Sequence, residues 1–102
     1  MGQAVVRLDG LPAAPPDAAA AFHAERLPQA RRALAGADAL ALVFAAAGHE
    51  HRGWRLAAVQ ELAREAAPKR VNGVAGADQT AIEQALAFLA AAPGMTGQLL
   101  AV

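Results

Sequence analysis

Short apolar runs alternate along the chain with longer segments in which apolar residues recur at helical spacing. The runs are QAVVRLDGL at 3–11, DALALVFAAAG at 38–48, RVNGVAG at 70–76 and GQLLAV at 97–102. By its apolar content alone, the run at 38–48 fits a helix or a strand. Its Val-Phe centre and the flanking Gly36 and Gly48 favour a strand that is buried on both faces, which is typical of a parallel sheet.

The segment after the first run predicts a helix with clear boundaries. In PPDAAAAF, Pro15 and Pro16 end the extended segment, Asp17 can cap the helix that follows, and Gly36 ends this helix. Pro28 lies inside the helical pattern and has no backbone N–H to donate, so it predicts a kink or the start of a second helical segment.

The segment WRLAAVQELAREA at 54–66 predicts an amphipathic helix. Its apolar stripe includes Trp54, Ala58 and Leu62, and the opposite polar face is expected to include Arg55. Pro68 then ends the helix, because a proline cannot continue the hydrogen-bond pattern.

The last helical segment, TAIEQALAFLAAAPG, begins with the pattern of a capping box, in which Thr80 and Glu83 satisfy free backbone amides. Pro93 and Gly94 end this helix.

Taken together, the pattern is βαβαβαβ, which predicts an α/β fold with a four-stranded, mostly parallel sheet. Because the chain has 102 residues, we expect 1–102 to form a single domain.

Composition and charge exclude several functional classes. The formal net charge is +0, so no basic field attracts nucleic acid or an anionic membrane surface. The absence of cysteine excludes disulfides and cysteine-ligated zinc. The longest apolar run is too short to cross a bilayer, and MGQAVVRLDG lacks the pattern of a signal peptide. We therefore expect a cytoplasmic protein that binds neither nucleic acid nor a membrane.

Side chains suited to catalysis are scarce. The sequence contains no Ser, Tyr or Cys, which excludes Ser-His-Asp and Cys-His arrangements and leaves Thr80 and Thr96 as its hydroxyl groups. The only lysine, Lys69, follows Pro68 in a predicted turn, where nothing desolvates it as a catalytic lysine requires. We assign no catalytic residue.

Two short motifs are candidates for ligand binding. In GHEHRGW, His49 and His51 are candidate metal ligands, but an H-x-H spacing in a loop is unspecific and an exposed polar loop is the favoured interpretation. In GVAG, Gly73 and Gly76 fit a tight strand-to-helix turn or, together with Thr80, a turn that contacts a cofactor. The turn after the first run is not G-x-G-x-x-G, so it lacks the dinucleotide fingerprint.

Spaced motifs in the second half of the chain resemble the C-terminal half of a short-chain dehydrogenase/reductase. In that family a helix ends near a proline, a strand R-V-N-x-V-x-P-G-x-x-x-T follows, and a loop T-G-Q precedes the last strand. The matching positions here are Arg70, Val71, Asn72, Gly76, Thr80, Thr96, Gly97 and Gln98. The match is good over 54–102 and weaker over 1–53, and the family's proline before Gly76 is missing.

The departures from the family pattern bear on function. Counting along the family's Y-x-x-x-K helix puts Gly48 at the tyrosine and Arg52 at the lysine, and the serine position falls at Ala46 or Ala47. The resemblance therefore implies a truncated, degenerate member without the dehydrogenase residues. The family's glycine loop is also missing, so we expect no resident cofactor, and NAD(P) binding in a retained half-site is the weaker option.

The resemblance also implies a topology and an interface. The family has a left-handed last crossover, which sends the final helix to the opposite face of a partial Rossmann-like sheet and covers both faces. The family's helix pairs form a four-helix bundle, so Trp54, Ala58 and Leu62 are candidate interface residues, unless this stripe simply faces the sheet.

Two functions remain open at this stage. The first is a non-catalytic scaffold or accessory protein that dimerises or docks on a full-length short-chain dehydrogenase-like relative. The second is binding of a small ligand, or of a nicotinamide cofactor, by loops at the carboxyl ends of the strands, where α/β sheets bind their ligands.

Overall fold

Four parallel strands form one sheet, in chain order, in the computed structural model, which describes residues 2–102. The strands are β1 (Gln3–Leu8), β2 (Ala39–Ala45), β3 (Arg70–Gly76) and β4 (Leu99–Ala101). The α-helices are α1 (Pro15–Ala21), α2 (Leu27–Ala35), α3 (Arg52–Ala66) and α4 (Gln79–Ala90). A π-helical turn, Phe22–Arg26, joins α1 to α2, and a 3₁₀ turn, His49–His51, precedes α3. The predicted α/β fold is confirmed.

The strand β2 lies in the middle of the hydrophobic core, as its sequence predicts. Residues 39–44 are all buried, because helices cover both faces of the sheet at this strand. On one face Leu40, Leu42 and Phe44 pack beneath the π-helical turn, α2 and α3. On the other face Val43 packs with residues of α4. Since β2 is covered on both sides, apolar residues can follow one another along it without alternation.

The last crossover takes α4 to the face opposite α1, α2 and α3. Ile82 and Leu89 of α4 pack on Val43 and Val74, while Val59 and Leu62 of α3 belong to the core on the other face. The strands are parallel and follow chain order, so every crossover moves in the same direction across the sheet. A crossover that passes over the opposite face therefore has the opposite hand. The first two crossovers take the usual right-handed form, and the last is left-handed. The expected topology is confirmed.

The first helical segment is divided in two, and its start differs from the prediction. Ala14 is the N-cap and Pro15 the first helical residue, so Asp17 lies in the first turn and does not cap it. The π-helical turn ends at Arg26, two residues before Pro28. Because Pro28 has no N–H to donate, the widened turn lets the helix resume at Leu27 without a regular bond at that position.

The capping box predicted for α4 is wrong. Asp78 is the N-cap, and its Oδ1 accepts a hydrogen bond from the Thr80 N–H at 3.0 Å. The carboxylate of Asp78 is a strong N-cap acceptor and also interacts favourably with the positive end of the helix dipole. The helix therefore begins at Gln79, before Thr80 can act as its cap.

The two motifs that carry the family resemblance bind each other. The amide of buried Asn72 donates to the Met95 carbonyl at 2.9 Å and accepts from the Gln98 N–H at 3.0 Å. The Thr96 hydroxyl accepts from the Val71 N–H at 3.1 Å. Gly97 adopts φ of +72°, a conformation that glycine tolerates best. Asn72 thus holds the loop before β4 against β3.

No helix within residues 2–102 combines the length and the apolar character needed to cross a membrane.

Candidate functional site

The loops that follow the strands gather at one edge of the sheet, because parallel strands all point the same way. A cleft of about 560 Å³ opens at this edge on the α4 side, between the ends of β1, β2 and β3. A smaller cavity of about 250 Å³ opens on the α3 side, next to β3 and β4. This carboxyl edge is the candidate functional site of the fold.

The resemblance assigns the family's serine, tyrosine and lysine to positions 46 or 47, 48 and 52, and all of these positions lie at the carboxyl edge. Ala46 and Ala47 are exposed directly after β2, and Gly48 is the N-cap of the 3₁₀ turn. Arg52 begins α3 and is exposed. None of these side chains carries a hydroxyl group that transfers a proton. Thr96, whose hydroxyl accepts a hydrogen bond from the β3 backbone, lines neither the larger cleft nor the smaller cavity.

The loop after β1 does not fit the pyrophosphate of a dinucleotide cofactor. Such a group is held by backbone N–H groups of a glycine-rich turn and of the helix that follows it. Here the loop at 9–14 contains one glycine, Gly10, and one residue without an N–H, Pro12. The helix α1 then opens with Pro15 and Pro16, which remove two further donors from its first turn.

The ring of His51 is buried, and both of its nitrogens have protein partners. Nε2 lies 2.9 Å from the Ala13 carbonyl, and Nδ1 accepts from the Trp54 indole N–H at 3.0 Å. A carbonyl can only accept and an indole N–H can only donate, so the ring carries its proton on Nε2. His51 therefore has no lone pair free for a metal, whereas His49 is exposed. Within residues 2–102 no three potential ligands cluster around a metal site.

The three residues predicted to contact a cofactor occupy different environments. Gly73 is buried, and a Cβ added there would come within 2.9 Å of Leu99 and 3.0 Å of Val59, so it has a packing reason to be glycine. Gly76 lines the larger cleft, and its Cα faces the backbone of Val102. Thr80 is exposed in the first turn of α4. Of the three, Gly76 lies at a cavity of the carboxyl edge.

The three candidate interface residues of α3 pack inside the chain to different extents. Ala58 and Leu62 are 4% and 3% exposed, within the core between α3 and the sheet. Trp54 is partly buried, with its ring centroid 5.8 Å from those of both Phe22 and Phe44. Ala58 and Leu62 thus face the sheet and are not accessible to a partner.

Arg55 is buried at the carboxyl edge, which corrects its predicted place on the polar face of α3. Its side chain passes over the Phe44 ring at 4.9 Å, and Nη1 donates to the Ala45 carbonyl at 2.9 Å. The buried Nε has no hydrogen-bond partner among residues 2–102. Burial lowers the pKa of the Arg55 guanidinium below its ordinary value, but arginine remains charged.

The sequence contains a signal for this burial. Positions 55, 58, 59 and 62 follow the i, i+3, i+4, i+7 spacing of one helix face, so Arg55 lies on the same stripe as Ala58 and Leu62. Assigning faces by residue type alone placed it with the charged residues. The guanidinium reaches the end of β2 while the stem of the side chain lies along the core.

A parallel sheet covered by helices on both faces, with cavities at its carboxyl edge, defines a partial Rossmann-like domain. The sequence model of the SDR-like family, described as short chain dehydrogenase-like protein, matches residues 6–102. The chain belongs to this family, and the resemblance inferred from the β3 and β4 motifs is confirmed. Comparisons with curated proteins and with solved structures gave no match.

Proposed function

We propose that this chain is a non-catalytic member of the SDR-like family that works as a scaffold or accessory protein, by binding another protein chain. The observation that carries the proposal is the composition of the carboxyl edge, where Gly48, Ala46 and Ala47 stand at the positions of the family's tyrosine and serine. A positioned acid or base contributes typically about 10²–10⁴ in rate, and none of these residues supplies one. The cytoplasmic location remains a prediction.

The edge strand β1 offers the better surface for assembly. It pairs with β2 on one side, and its other side carries no strand among residues 2–102. Such an edge exposes backbone N–H and C=O groups that can pair with another strand. Val5 on this strand is 41% exposed, although it is a large apolar residue. We propose that β1 pairs with β1 of a second copy or with an edge strand of a full-length relative.

A pair of identical copies would place the two β1 strands antiparallel about a two-fold axis. With the axis at Val5, the two Val5 side chains face each other, and Arg7 stands opposite Gln3 of the partner rather than opposite another arginine. This register joins two four-stranded sheets into one and leaves no like charges paired across the axis.

The outer face of α2 and α3 is less suited to an interface. Arg31 of α2 donates to Glu65 of α3 at 2.7 and 2.9 Å, and this hydrogen bond holds the pKa of Glu65 below its ordinary value. Arg64 pairs with Glu61 on the same helix. These charged groups are about half exposed or more, so a partner that covers them has to desolvate them.

Val5→Lys tests the assembly surface. We expect the wild-type chain to sediment as a dimer and the Val5→Lys chain to dissociate about tenfold more readily or more, because two lysines oppose each other across the axis. Sedimentation velocity over a concentration series measures this. The matched control is Phe88→Lys, which introduces the same residue at an exposed apolar position of α4. A wild-type chain that is monomeric alone and in a mixture with a full-length relative contradicts the proposal.

A second candidate function is the binding of a small ligand in the cleft on the α4 side, including the nicotinamide part of a cofactor. The cleft of about 560 Å³ favours it, since polar side chains of Arg7, Asp9 and Gln79 line it beside the apolar Val43 and Ile82. Because the loop at 9–14 does not fit a pyrophosphate, we propose that the ligand is not a complete dinucleotide.

A titration with NAD(P)H and an activity assay test the exclusion of a complete dinucleotide and the absence of catalysis. We expect NAD(P)H to leave the fluorescence of Trp54, the only tryptophan, unchanged after inner-filter correction, and we expect no turnover of alcohols or ketones. The physical reason is the missing phosphate cradle in the first case and the missing proton donor in the second. Saturable quenching contradicts the exclusion of dinucleotides, and turnover by the purified chain overturns the non-catalytic proposal.

A further inference from the structure

The smaller cavity of the carboxyl edge has a charged wall and an apolar floor. It has a volume of about 250 Å³ and lies between the loop after β2, the start of α3 and the ends of β3 and β4. Arg52 and Arg55 form the charged wall, with His49 beside them, and Ala75, Leu99 and Ala101 form the apolar floor. None of the residues that line it is acidic.

The guanidinium of Arg55 has no carboxylate partner in this position. The ion pairs within residues 2–102 are Arg31–Glu65 and Arg64–Glu61, and neither includes Arg55. Arg55 is only 8% exposed, and its Nε is buried without a hydrogen-bond partner among the described residues. Removing a charge from water is unfavourable unless an opposite charge and hydrogen bonds compensate it.

The contacts that Arg55 does make fix its position without neutralising its charge. The Ala45 carbonyl accepts one hydrogen bond at 2.9 Å, and the rings of Phe44 and Trp54 lie 4.9 and 5.9 Å from the guanidinium carbon. A planar guanidinium held in this way is ready to pair with a planar carboxylate. Exposed Arg52, at the mouth of the same cavity, adds a second positive charge.

We infer that this cavity binds a small monocarboxylic acid, with its carboxylate on Arg55 and Arg52 and its apolar body on Ala75, Leu99 and Ala101. One negative charge supplies the counterion that buried Arg55 lacks, and the methyl-lined floor accepts a hydrocarbon or aryl group. Guanidinium groups also pair with phosphate, but inorganic phosphate fits this site less well because it has no apolar part to cover Ala75, Leu99 and Ala101. This inference goes beyond the proposed assembly function and does not depend on it.

Titration of the 102-residue chain with benzoate tests the inference. We expect saturable one-site binding by calorimetry, together with a chemical-shift change of the Arg55 Nε–H signal in ¹⁵N NMR spectra. Benzamide, which has the same shape without the charge, is expected to bind about 10- to 100-fold more weakly, as the loss of a charge-assisted hydrogen bond predicts. Inorganic phosphate is the third probe, and we expect it to bind more weakly than benzoate.

Arg55→Met and Arg64→Met form a matched pair of variants on α3. Replacing an unpaired buried charge by an apolar side chain of similar length is expected to leave the fold intact, and Arg55→Met should weaken benzoate binding about 10- to 100-fold. Arg64→Met, at an exposed position away from the cavity, should leave it unchanged.

The results of these experiments decide whether the cavity binds a carboxylate. If Arg55→Met fails to fold, the Nε–H titration of the wild-type chain still decides the question. An unchanged Arg55 Nε–H signal up to the solubility limit of benzoate overturns the inference. Equal binding of benzamide and benzoate overturns it as well, as does tighter binding of phosphate. Because sedimentation reports assembly separately, failure here leaves the proposed function standing.

Discussion

Replacing Asn72 by alanine is expected to lower the free energy of unfolding by about 2–4 kcal/mol, one of the two largest effects that we expect from a single substitution. Asn72 is 1% exposed, and its amide serves both the Met95 carbonyl and the Gln98 N–H. Alanine removes both hydrogen bonds, each of which contributes about 0.5–1.5 kcal/mol, and leaves a cavity at a fully buried position, which adds to the loss. Urea denaturation measures the loss as a lower midpoint at an unchanged slope.

Two further variants make this prediction specific. Asn72→Asp keeps an oxygen for the Gln98 N–H but loses the donor to Met95 and adds a buried charge, so we expect it to be at least as destabilising as Asn72→Ala. Gln84→Ala removes an exposed amide from α4 and should change the stability by less than about 0.5 kcal/mol. Equal midpoints for Asn72→Ala and Gln84→Ala would show that the link between β3 and the β4 loop contributes nothing.

Replacing Phe44 by alanine is expected to cost about 3–5 kcal/mol, as deletion of a fully buried aromatic ring does. Phe44 is 0% exposed at the centre of the larger core, and its ring packs edge-to-face against Trp54 with centroids 5.8 Å apart. The substitution also removes the ring beneath the Arg55 guanidinium. Urea denaturation measures the loss of stability, and the emission of Trp54 reports the change in its surroundings.

The chain offers a matched control for this deletion. Phe88 lies on α4 and is 55% exposed, so Phe88→Ala removes the same atoms from a position that buries little apolar area. We expect a change within about 0.5 kcal/mol for it. If Phe44→Ala lowers the free energy of unfolding by no more than Phe88→Ala does, the main hydrophobic core does not lie between α3 and the sheet.

The sheet was predictable because the Val-Phe centre and the flanking glycines of the run at 38–48 decide for a strand where its apolar content alone fits a helix or a strand. An apolar run of that length with a Val-Phe centre fits β2 only if both faces are covered, and the alternation with helical segments then fixes a parallel arrangement. The side of the sheet on which α4 lies was predicted from the family resemblance. Hydrophobic periodicity says which residues of α4 are buried, but it does not say on which face of the sheet the helix lies.

The local errors have physical causes. Asp78 and Thr80 are both good N-cap residues, and the choice between them depends on where the chain leaves β3. The π-helical turn before Pro28 is one of several ways to accommodate a proline, and the sequence does not select among them. Arg55 was misassigned because a charged residue is rarely buried, although its spacing places it on the apolar stripe of α3.

The candidate site was only partly predictable. The carboxyl edge as the place for ligands follows from the parallel sheet, so the loops after β2 and β3 could be named in advance. Trp54 follows His51 by three residues, whereas the hydrogen bond between His51 and the Ala13 carbonyl joins residues far apart in the sequence, and no spacing rule reveals it. The same holds for the packing of Gly73 between Val59 and Leu99.

The two faces of the sheet are covered unequally, and this difference gives the molecule a gradient of local stability. One helix, α4, packs on its face through a small cluster around Val43, Val74 and Leu89, whereas α2, α3 and the π-helical turn share the larger cluster on the other face. Segments with few buried apolar contacts open at lower free energy than the rest of a domain. Transient detachment of α4 would uncover Val43 and Val74 while β1 and β2 stay paired, so partial unfolding is expected to begin on this side and to precede global unfolding.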